Sequence, residues 1–406
     1  MLLVGLDARR AISPKRPSVD TAGLADILPY YAGFSFNFAR EHIKAHSEGL
    51  DTAVVLDPWN GSGTTSLAAM HSGHTAIGVD LSPAANLIAQ LRCQVGDRAR
   101  PCPTPKQTVA GRSVKHPDAL SRWLAPSAVE RFRDWTSQLH GRPPEVASLA
   151  YVSLFRALRK VTADFEGTNP TWVKSAKTPD ELIDLTPDDV DAAIRAEEDF
   201  LLGRLRSFPF RGSPATLITA SSSALPLSDK SVDVIVTSPP YLTRIDYGVA
   251  YSRELAVLGT DTFSDRGLRA ALMGTTLIRK PQSVERRLGD LSARLLEGIS
   301  THASKASGGY YLKQAVQYLN DLSVSFDEVT RVAKTGAKMS LVVQDSYYKD
   351  LHIRLADICA EALRLRGWTV NGAERFPVKR SLTTLNKSAR EYAKGEVAES
   401  VIDLQL

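Results

Sequence analysis

The sequence has few cysteines and no long apolar segment. Its three cysteines, Cys93, Cys102 and Cys359, have no CxxC spacing, which argues against a disulfide framework and against a zinc ribbon. Its apolar runs, such as residues 54–56 and 341–343, fall far short of the ~20 residues that cross a bilayer. The first residues lack a basic segment and a small-residue cleavage site, so we expect no signal peptide, no membrane segment and a cytoplasmic protein.

Strong charge and clear metal-ligand sets are also missing. The formal net charge is +5 and the pI is near 9.0, which raises the expectation of a polyanionic partner only slightly. Of the eight histidines, His42 and His46 share the i, i+4 spacing of helical metal ligands. Their string HIKAH lacks the Glu of HExxH and has no obvious third ligand. We therefore predict a solvated helix face and no metal site.

Strands and helices alternate in the order of an α/β fold with an open parallel sheet. The pattern predicts strands over 52–56 and 75–80, each followed by a helix, and a mainly helical stretch from about 118 to 208. The later predicted elements are strands over 215–219, 232–237 and 338–344, helices over 312–332 (ended by Gly336) and 353–365, and a hairpin of 368–376 with 400–404. The predicted organisation is a catalytic core of residues 1–95 and 212–406, interrupted by a helical insertion over 96–211.

A glycine-rich loop follows the first predicted strand. Its string, DPWNGSGTT over residues 57–65, lets a ligand approach the backbone, and the helix that follows favours a carboxylate or phosphate. It is not a Walker A loop, because no lysine follows the glycines. Asp80 ends the next strand, where an acid can accept both hydroxyls of a ribose. A tight turn with an N-capping threonine is the alternative, but the complete string favours a nucleoside site.

A second chemical motif ends the strand predicted over 232–237. Residues 233–241 read DVIVTSPPY, and the two prolines remove two backbone donors and fix an extended path. Nearby carbonyls can then point outward and accept the hydrogens of an amino group, while Tyr241 can stack on a planar ring. A bare PPY could simply end a strand. After DVIVTS it favours an amine-binding site.

Together the two strings resemble the amino-methyltransferases of DNA, in which DPF-x-GSGTT binds S-adenosylmethionine and (D/N/S)PP(Y/F) holds the target amine. Trp59 stands in place of the usual Phe, and the SPPY form is typical of the N4-cytosine-specific members. The string YYAGFS over 30–35 resembles the segment that closes over the methionine end of the cofactor. Relatives often carry an Asp near the cofactor adenine, where this chain has three serines at 221–223. The resemblance therefore assigns no adenine contact.

The resemblance implies a Rossmann-like S-adenosylmethionine-dependent methyltransferase fold, with a mostly parallel seven-stranded sheet and a C-terminal antiparallel hairpin. It implies methyl transfer from S-adenosylmethionine to N4 of cytosine in double-stranded DNA, by base flipping and direct in-line transfer. It also makes a restriction-modification role, with a cognate restriction endonuclease as partner, an expectation. The implied catalytic residues are Ser238, Pro239, Pro240 and Tyr241. The implied cofactor-binding residues are Phe34, Ser35, Asp57, Trp59, Gly61, Gly63, Thr64, Thr65 and Asp80.

Rival interpretations use a similar core. N6-adenine methylation is the main alternative, followed by RNA guanine-N2 methyltransferases, for whose N-terminal RNA-binding domain the arm before Tyr30 leaves no room. Release-factor glutamine methyltransferases carry NPPY and are normally shorter. A catalytically dead DNA-binding module conflicts with the intact motifs. Cys102 follows a proline, as the nucleophile of C5-cytosine methyltransferases does, but it lies in a proline-rich linker.

Target recognition is assigned to the insertion, because it interrupts the core and its first half is basic. The predicted DNA-binding residues are Arg131, Arg133, Arg156, Arg159 and Arg244. Residues 169–172, with the string NPTW, are a further candidate loop, and residues 258–308 form a second basic insertion. Asp246 and Tyr247 are expected either to line the pocket with Arg244 or to form a buried ion pair and a core aromatic.

Overall fold

The protein is described by a computed structural model. It describes residues 12–16, 22–29, 33–94, 99–107, 118–167, 169, 172–209, 212–242, 245–279, 286–304, 307–378 and 396–406. Arg244, Tyr30, Tyr31, Pro170, Thr171 and Lys280 lie outside these described residues. Within them, no helix is both long enough and apolar enough to span a membrane.

The first half of the chain forms the start of the sheet and then a group of helices. The elements are α1 (Phe36–His46), β1 (Val54–Asp57), α2 (Thr64–His71), β2 (Thr75–Asp80), α3 (Pro83–Arg92), α4 (Pro126–Ser137), α5 (Pro144–Val161) and α6 (Pro187–Arg206). Proline stands in the first turn of α3, α4, α5 and α6, where its missing N–H costs no hydrogen bond. Thr186 and Asp189 form a capping box that starts α6.

The second half returns to the sheet. Its elements are β3 (Thr216–Thr219), β4 (Val232–Thr237), α7 (Tyr247–Ala250), α8 (Ser252–Val257), α9 (Gly267–Ala271), α10 (Asp290–Thr301), α11 (Leu312–Val332), β5 (Ala333–Gln344), β6 (Ser346–Tyr348), β7 (Leu351–Ile353), α12 (Leu355–Arg364), β8 (Thr369–Pro377) and β9 (Ala398–Gln405). A one-turn π-helix, Ser307–Tyr311, precedes α11. Strands β6 and β7 form a separate antiparallel pair.

Seven strands form the main sheet in the order β3-β2-β1-β4-β5-β9-β8. The five strands from β3 to β5 pair in parallel. Strand β9 is antiparallel to both β5 and β8. The predicted fold class, a mostly parallel seven-stranded sheet with a C-terminal antiparallel hairpin, is confirmed.

Three apolar clusters hold the layers together. One joins a face of the sheet to α10, α11 and α12 through residues such as Phe326 and Trp368, and another joins the opposite face to α1 and α2 through residues such as Phe38 and Leu67. The third joins α3 and α8 to the helices of the insertion, with Trp123 and Trp135 fully buried. The insertion therefore shares a core with α3 and α8, because helices that expose apolar stripes need a partner to cover them.

Most predicted elements are observed with ends shifted by a few residues, and α11 ends at Val332 as predicted, but the helix-ending role predicted for Gly336 is wrong. The chain passes directly from Val332 into β5 at Ala333, and Gly336 lies inside the strand with φ 83°. The pairing of β4 with β5 is irregular there, since Val232 faces Ala333 while Val234 faces Lys338. Gly336 thus marks a bulge in β5 rather than the end of a helix.

The expectation of a solvated helix face around His42 and His46 is also wrong. Both side chains point toward the sheet, with exposed fractions of 19% and 12%. His42 Nδ1 lies 2.7 Å, and His46 Nε2 2.6 Å, from the hydroxyl of Ser340 on β5. The third group that the sequence did not reveal is Asp403, near the end of β9.

The structure corrects the DNA-contact prediction for four arginines of the insertion. Their side chains are 4–22% exposed and face carboxylates inside the protein. The ion pairs are Arg131–Asp191, Arg133–Asp118, Arg156–Glu197 and Arg159–Glu254. Two of these arginines therefore pair with the acidic second half of the insertion, Arg159 pairs with α8, and Arg133 pairs with Asp118 in the first half. The four guanidinium groups are occupied inside the protein and are not reserved for phosphates.

Loss of one of these pairs should cost stability. We expect Arg131→Met to lower the free energy of unfolding by about 2–3 kcal/mol, because Asp191 and Asp134 keep partly buried charges without their partner. Urea unfolding measures the change. Arg206→Met, at an exposed position in the last turn of α6, is the matched control and should cost less than about 0.5 kcal/mol. Equal losses in the two variants would contradict the structural role of Arg131.

Candidate active site

A pocket opens at the carboxyl ends of β1 and β4, where the strand order reverses direction. Ligands of open α/β sheets bind at such a switch point. The pocket has a volume of about 1050 Å³, counted with the solvent at its open side. Residues of both sequence motifs line it. The two motifs, far apart in the sequence, thus meet in one cavity.

Asp57 connects the glycine-rich loop to the neighbouring strand. Its carboxylate is 3% exposed and accepts hydrogen bonds from the hydroxyls of Thr65 (2.8 Å) and Thr237 (2.6 Å) and from the Trp59 N–H (3.1 Å). Burial raises the pKa of Asp57 to about 6, although these three hydrogen bonds act in the opposite direction. Asp57 therefore fixes the loop, the start of α2 and the end of β4 relative to one another.

Two glycines make room for the loop. Gly63 precedes α2 with φ 83°, and a Cβ atom added there would lie 2.8 Å from the Cβ of Ala89 on α3. A Cβ added to Gly78 in β2 would lie 2.4 Å from the side chain of Asn60. Asn60 can therefore lie across β2, where its backbone N–H donates to Val79 O at 3.0 Å.

Asp80 ends β2 and faces the pocket. One carboxylate oxygen accepts from the Gly61 N–H and the other from the Ser82 N–H, both at 2.8 Å. A carboxylate has about four acceptor positions, so two remain for hydroxyl groups of a ligand. Burial raises the pKa of Asp80 to about 6, against the effect of the two backbone hydrogen bonds.

The SPPY motif continues β4 into the pocket wall. Ser238 and Pro240 line the cavity, and the Ser238 hydroxyl lies 3.0 Å from the Tyr241 hydroxyl. Tyr318 on α11 donates to the Pro240 carbonyl at 2.8 Å. The Tyr241 ring is 5% exposed and packs in the apolar core. The motif therefore presents a serine hydroxyl to the pocket and anchors its tyrosine behind it.

The structure brings most of the predicted site residues together. Those lining the pocket are Phe34, Asp57, Trp59, Gly61, Thr64, Asp80, Ser238 and Pro240. Those behind its wall are Ser35, Gly63, Thr65, Pro239 and Tyr241. Ser35 caps α1 by accepting from the Phe38 N–H, and the Thr65 hydroxyl lies 2.9 Å from Val236 O as well as 2.8 Å from Asp57. Their place is structural, one layer from the cavity.

Several lining residues carry no motif that sequence analysis could use. Arg16 donates to Phe34 O and to the Thr64 hydroxyl, each at 3.0 Å, so the segment 12–16 forms part of the wall. Tyr247 also lines the pocket, and its ring stacks on that of Tyr251 with a centroid distance of 6.3 Å. Residues 258–308 contribute Met273 to the wall. The sequence indicated Tyr247 only weakly as a pocket residue, through its position shortly after SPPY.

The two alternatives for the residues after SPPY are both partly realised. Asp246 is 3% exposed and forms an ion pair with Arg269 at 2.9 Å, so it is the buried ion pair. Tyr247 lines the pocket. Arg244 lies outside the described residues.

Serine hydroxyls occupy the part of the wall that the resemblance left unassigned. Ser221, Ser222 and Ser223 all line the pocket. The Ser222 hydroxyl lies 2.9 Å from that of Ser325 on α11, and Ser221 lies 2.7 Å from Ser223. Next to them, Arg279 pairs with Asp321. This end of the pocket is polar and offers both donors and acceptors.

Cys102 has no access to this chemistry. Its side chain is 1% exposed, and its N–H donates to Glu198 at 3.1 Å. Burial raises the pKa of the Cys102 thiol, which keeps it in the weakly nucleophilic form.

Comparison with known proteins identifies the family that these motifs resemble. Residues 14–90 match the family model N6_N4_Mtase, described as DNA methylase. The Type II methyltransferase M.BsoBI of Geobacillus stearothermophilus is 25% identical over 379 residues, which cover 79% of this chain and 74% of that protein. The predicted resemblance to the DNA amino-methyltransferases is confirmed. Both matches support an S-adenosylmethionine-dependent DNA methyltransferase.

Solved structures also align with the chain, at low scores. A SAM-dependent methyltransferase from Methanosarcina mazei is 10% identical, with 89% of this chain and 95% of that chain covered and a TM-score of 0.32. The YcgJ protein from Bacillus subtilis is likewise 10% identical, with 91% and 97% covered and a TM-score of 0.32. The fold of this chain is defined by its own strand order.

The predicted cofactor, S-adenosylmethionine, is confirmed by the family match, and the residues present fit it. The matched range includes the whole loop of residues 57–65 and Asp80. Asp80 keeps acceptor positions for two ribose hydroxyls. The indole Nε1 of Trp59 and the amide nitrogen of Asn60 are buried without a hydrogen-bond partner among the described residues. Such donors in a pocket wall are expected to be satisfied by a bound ligand or by water.

Binding of S-adenosylmethionine should weaken in acid. Because protonated Asp80 no longer accepts two hydroxyls, affinity should fall as the pH drops through about 6, approaching about tenfold per pH unit below it. Calorimetry between pH 5 and 8 measures this. Asp80→Asn should bind about 10- to 100-fold more weakly at pH 8 with a flatter profile, any remaining slope being attributable to Asp57. A wild-type affinity constant across this range would contradict the assignment.

Gly63 and Gly73 offer a matched test of the loop. Both have positive φ, 83° and 79°, so either substitution by alanine strains the backbone by about 1–2 kcal/mol. Only at Gly63 would the new Cβ meet α3, since that of Gly73 has nothing within 4 Å. We expect Gly63→Ala to weaken S-adenosylmethionine binding at least about tenfold and Gly73→Ala to leave it within about twofold. Similar affinities in the two variants would argue against a role for Gly63 packing in the site.

Proposed function

We propose that this protein transfers a methyl group to the exocyclic N4 amine of cytosine in double-stranded DNA. The observation that carries the proposal is that the neutral hydroxyl of Ser238 lines the same pocket as Asp57 and Asp80. The cofactor supplies an electrophilic methyl group when bound. The target amine must reach the same cavity, and inside a duplex it can do so only after its base has left the stack.

Ser238 would orient the amine. Its hydroxyl can accept one hydrogen of the amino group and would stabilise positive charge developing on nitrogen. The sequence also suggested the Pro239 carbonyl as an acceptor, but Pro239 does not line the cavity. Cytosine presents its amine beside the N3 acceptor, and a hydroxyl can serve either group. A serine where other members of the family carry an acid or an amide supports cytosine, through the resemblance of SPPY to N4-specific enzymes.

Stacking on the base is proposed for Tyr247 in place of Tyr241. The Tyr241 ring lies in the core, whereas Tyr247 lines the pocket parallel to Tyr251. Tyr241 would instead fix Ser238 through the 3.0 Å contact between their hydroxyls. In this arrangement Tyr247 would hold the ring of the base and Ser238 would hold its amine.

We propose that residues 96–211 recognise DNA through residues other than the four ion-paired arginines. Trp172 is 50% exposed, in the NPTW loop that the sequence singled out, and an exposed aromatic can stack on an unpaired base. Residues 258–308 supply Met273 to the pocket wall and an exposed cation, Arg266. We propose that both insertions flank the DNA, the second one next to the target base. We also propose a restriction-modification role with a partner nuclease, which the similarity to the Type II methyltransferase M.BsoBI supports.

The base assignment is tested by expression in a host without DNA methylation. Genomic DNA is digested to nucleosides and analysed by mass spectrometry, which separates N4-methylcytosine from N6-methyladenine and C5-methylcytosine. We expect N4-methylcytosine. Ser238→Ala should lower the rate of methylation at least about 100-fold, by analogy with the loss of one transition-state hydrogen bond.

The matched control is Ser231→Ala, which removes a hydroxyl just before β4 that donates to Ser228 O, outside the pocket wall. It should keep wild-type activity. Finding N6-methyladenine would overturn the cytosine assignment and keep the amine chemistry. Finding C5-methylcytosine would overturn both.

A further inference from the structure

Three metal-ligating side chains converge on the face of the sheet covered by α1. His42 and His46, one turn apart on the helix, and Asp403 on β9 each direct one ligand atom to a common point, with all three atoms within 4.8 Å of one another. The side chains are 19%, 12% and 34% exposed. None of the three lines the pocket described above. The cluster is therefore a separate feature of the fold.

The spacing of the ligand atoms fits a tetrahedral metal ion. His42 Nδ1 lies 3.6 Å and His46 Nε2 lies 3.4 Å from Asp403 Oδ1. Zinc bonds to imidazole nitrogen and carboxylate oxygen are close to 2.0–2.2 Å, so two ligand atoms of a tetrahedral site stand roughly 3.4 Å apart. Hydrogen bonding between these groups themselves would bring the atoms closer, to about 2.9 Å. The two His–Asp distances therefore fit ligands that share one ion, and the Ser340 hydroxyl, 2.6–2.7 Å from all three ligand atoms, would have to turn aside to admit it.

The surrounding groups favour a cation. Both imidazoles lie within 3.6 Å of Asp403 Oδ1, and the Ser340 hydroxyl donates to the same oxygen at 2.6 Å. Glu374 on β8 pairs with Val401 on β9, two residues before Asp403, so both carboxyl groups stand on the same face of the sheet. Two carboxyl groups and two imidazoles thus face one region. A divalent ion would offset the repulsion between the carboxylates and use the imidazole lone pairs.

Ser340 provides the competing explanation. Its hydroxyl lies 2.7 Å from His42 Nδ1 and 2.6 Å from both His46 Nε2 and Asp403 Oδ1. A hydroxyl has one proton to donate and can accept two hydrogen bonds. The cluster could therefore be held by hydrogen bonds alone, provided that both imidazoles are protonated on the nitrogens facing Ser340. A metal ion would instead need those nitrogens deprotonated.

We propose that His42, His46 and Asp403 bind one divalent transition-metal ion of the zinc type, with Ser340 or water at the fourth position. Two imidazoles and a carboxylate are a common ligand set for this ion. The site would tie α1 to β9 and so join distant parts of the chain. Since α1 begins directly after Phe34 and Ser35, the ion would hold the helix whose start borders the cofactor pocket.

Cobalt titration tests the proposal without relying on activity. The full-length protein, purified without a metal-affinity step and treated with chelator, is titrated with Co²⁺ while the visible absorption is recorded. We expect one equivalent to bind with a dissociation constant below about 10 µM, to give the intense bands of tetrahedral cobalt, and to be displaced by Zn²⁺. His46→Gln and Asp403→Asn should each weaken binding at least about 100-fold.

Two controls separate the metal site from its rivals. His140→Gln removes an exposed histidine elsewhere and should bind like the wild type. Ser340→Ala removes the hydroxyl that bridges the hydrogen-bonded cluster but keeps all three ligand atoms, and it should still bind one equivalent. If the folded wild type shows no saturable binding below about 1 mM, or if His46→Gln binds as well as wild type, the proposal is overturned. The wild-type titration decides the matter even if a variant does not fold.

Discussion

The buried carboxylate of Asp57 is the interaction on which the site depends. It ends β1 and simultaneously accepts hydrogen bonds from the loop, from α2 and from β4. Parallel strands bring only their ends together, and the loops that follow them are free to move unless something joins them. Because Asp57 binds groups from both motifs, a shift of the cofactor loop must displace the strand that carries SPPY. The two motifs are therefore held as one rigid unit.

The same unit explains the arrangement of the second layer. Thr65 and Tyr241 belong to the motifs but lie behind the pocket wall, where each hydrogen-bonds to a residue that faces the cavity. Their hydroxyl groups fix the rotamers of Asp57 and Ser238. Side chains held in this way lose little conformational entropy when a ligand binds. The strings DPWNGSGTT and SPPY thus combine residues that face a ligand with residues that hold them.

Sequence alone predicted what is encoded locally. The glycine loop, Asp80 and the two prolines could be recognised because strand ends and tight turns restrict which residues can occupy them. The alternation of predicted strands and helices indicated the parallel sheet. Partners distant in sequence could not be predicted. The sequence shows the positive charge of Arg131 but not its ion pair with Asp191. It shows the helical spacing of His42 and His46 but not that Asp403 lies beside them. Arg16 joins the wall through backbone pairing of a segment without any motif.

The position of β9 has a consequence for folding during synthesis. This strand lies between β5 and β8 and pairs with both, although β8 precedes it in the chain. While the ribosome has made β8 but not β9, β5 keeps an open edge and β8 lacks the strand that joins it to the sheet. Open strand edges pair readily with other chains. The newly made protein therefore passes through an interval of increased aggregation risk, which ends when β9 inserts.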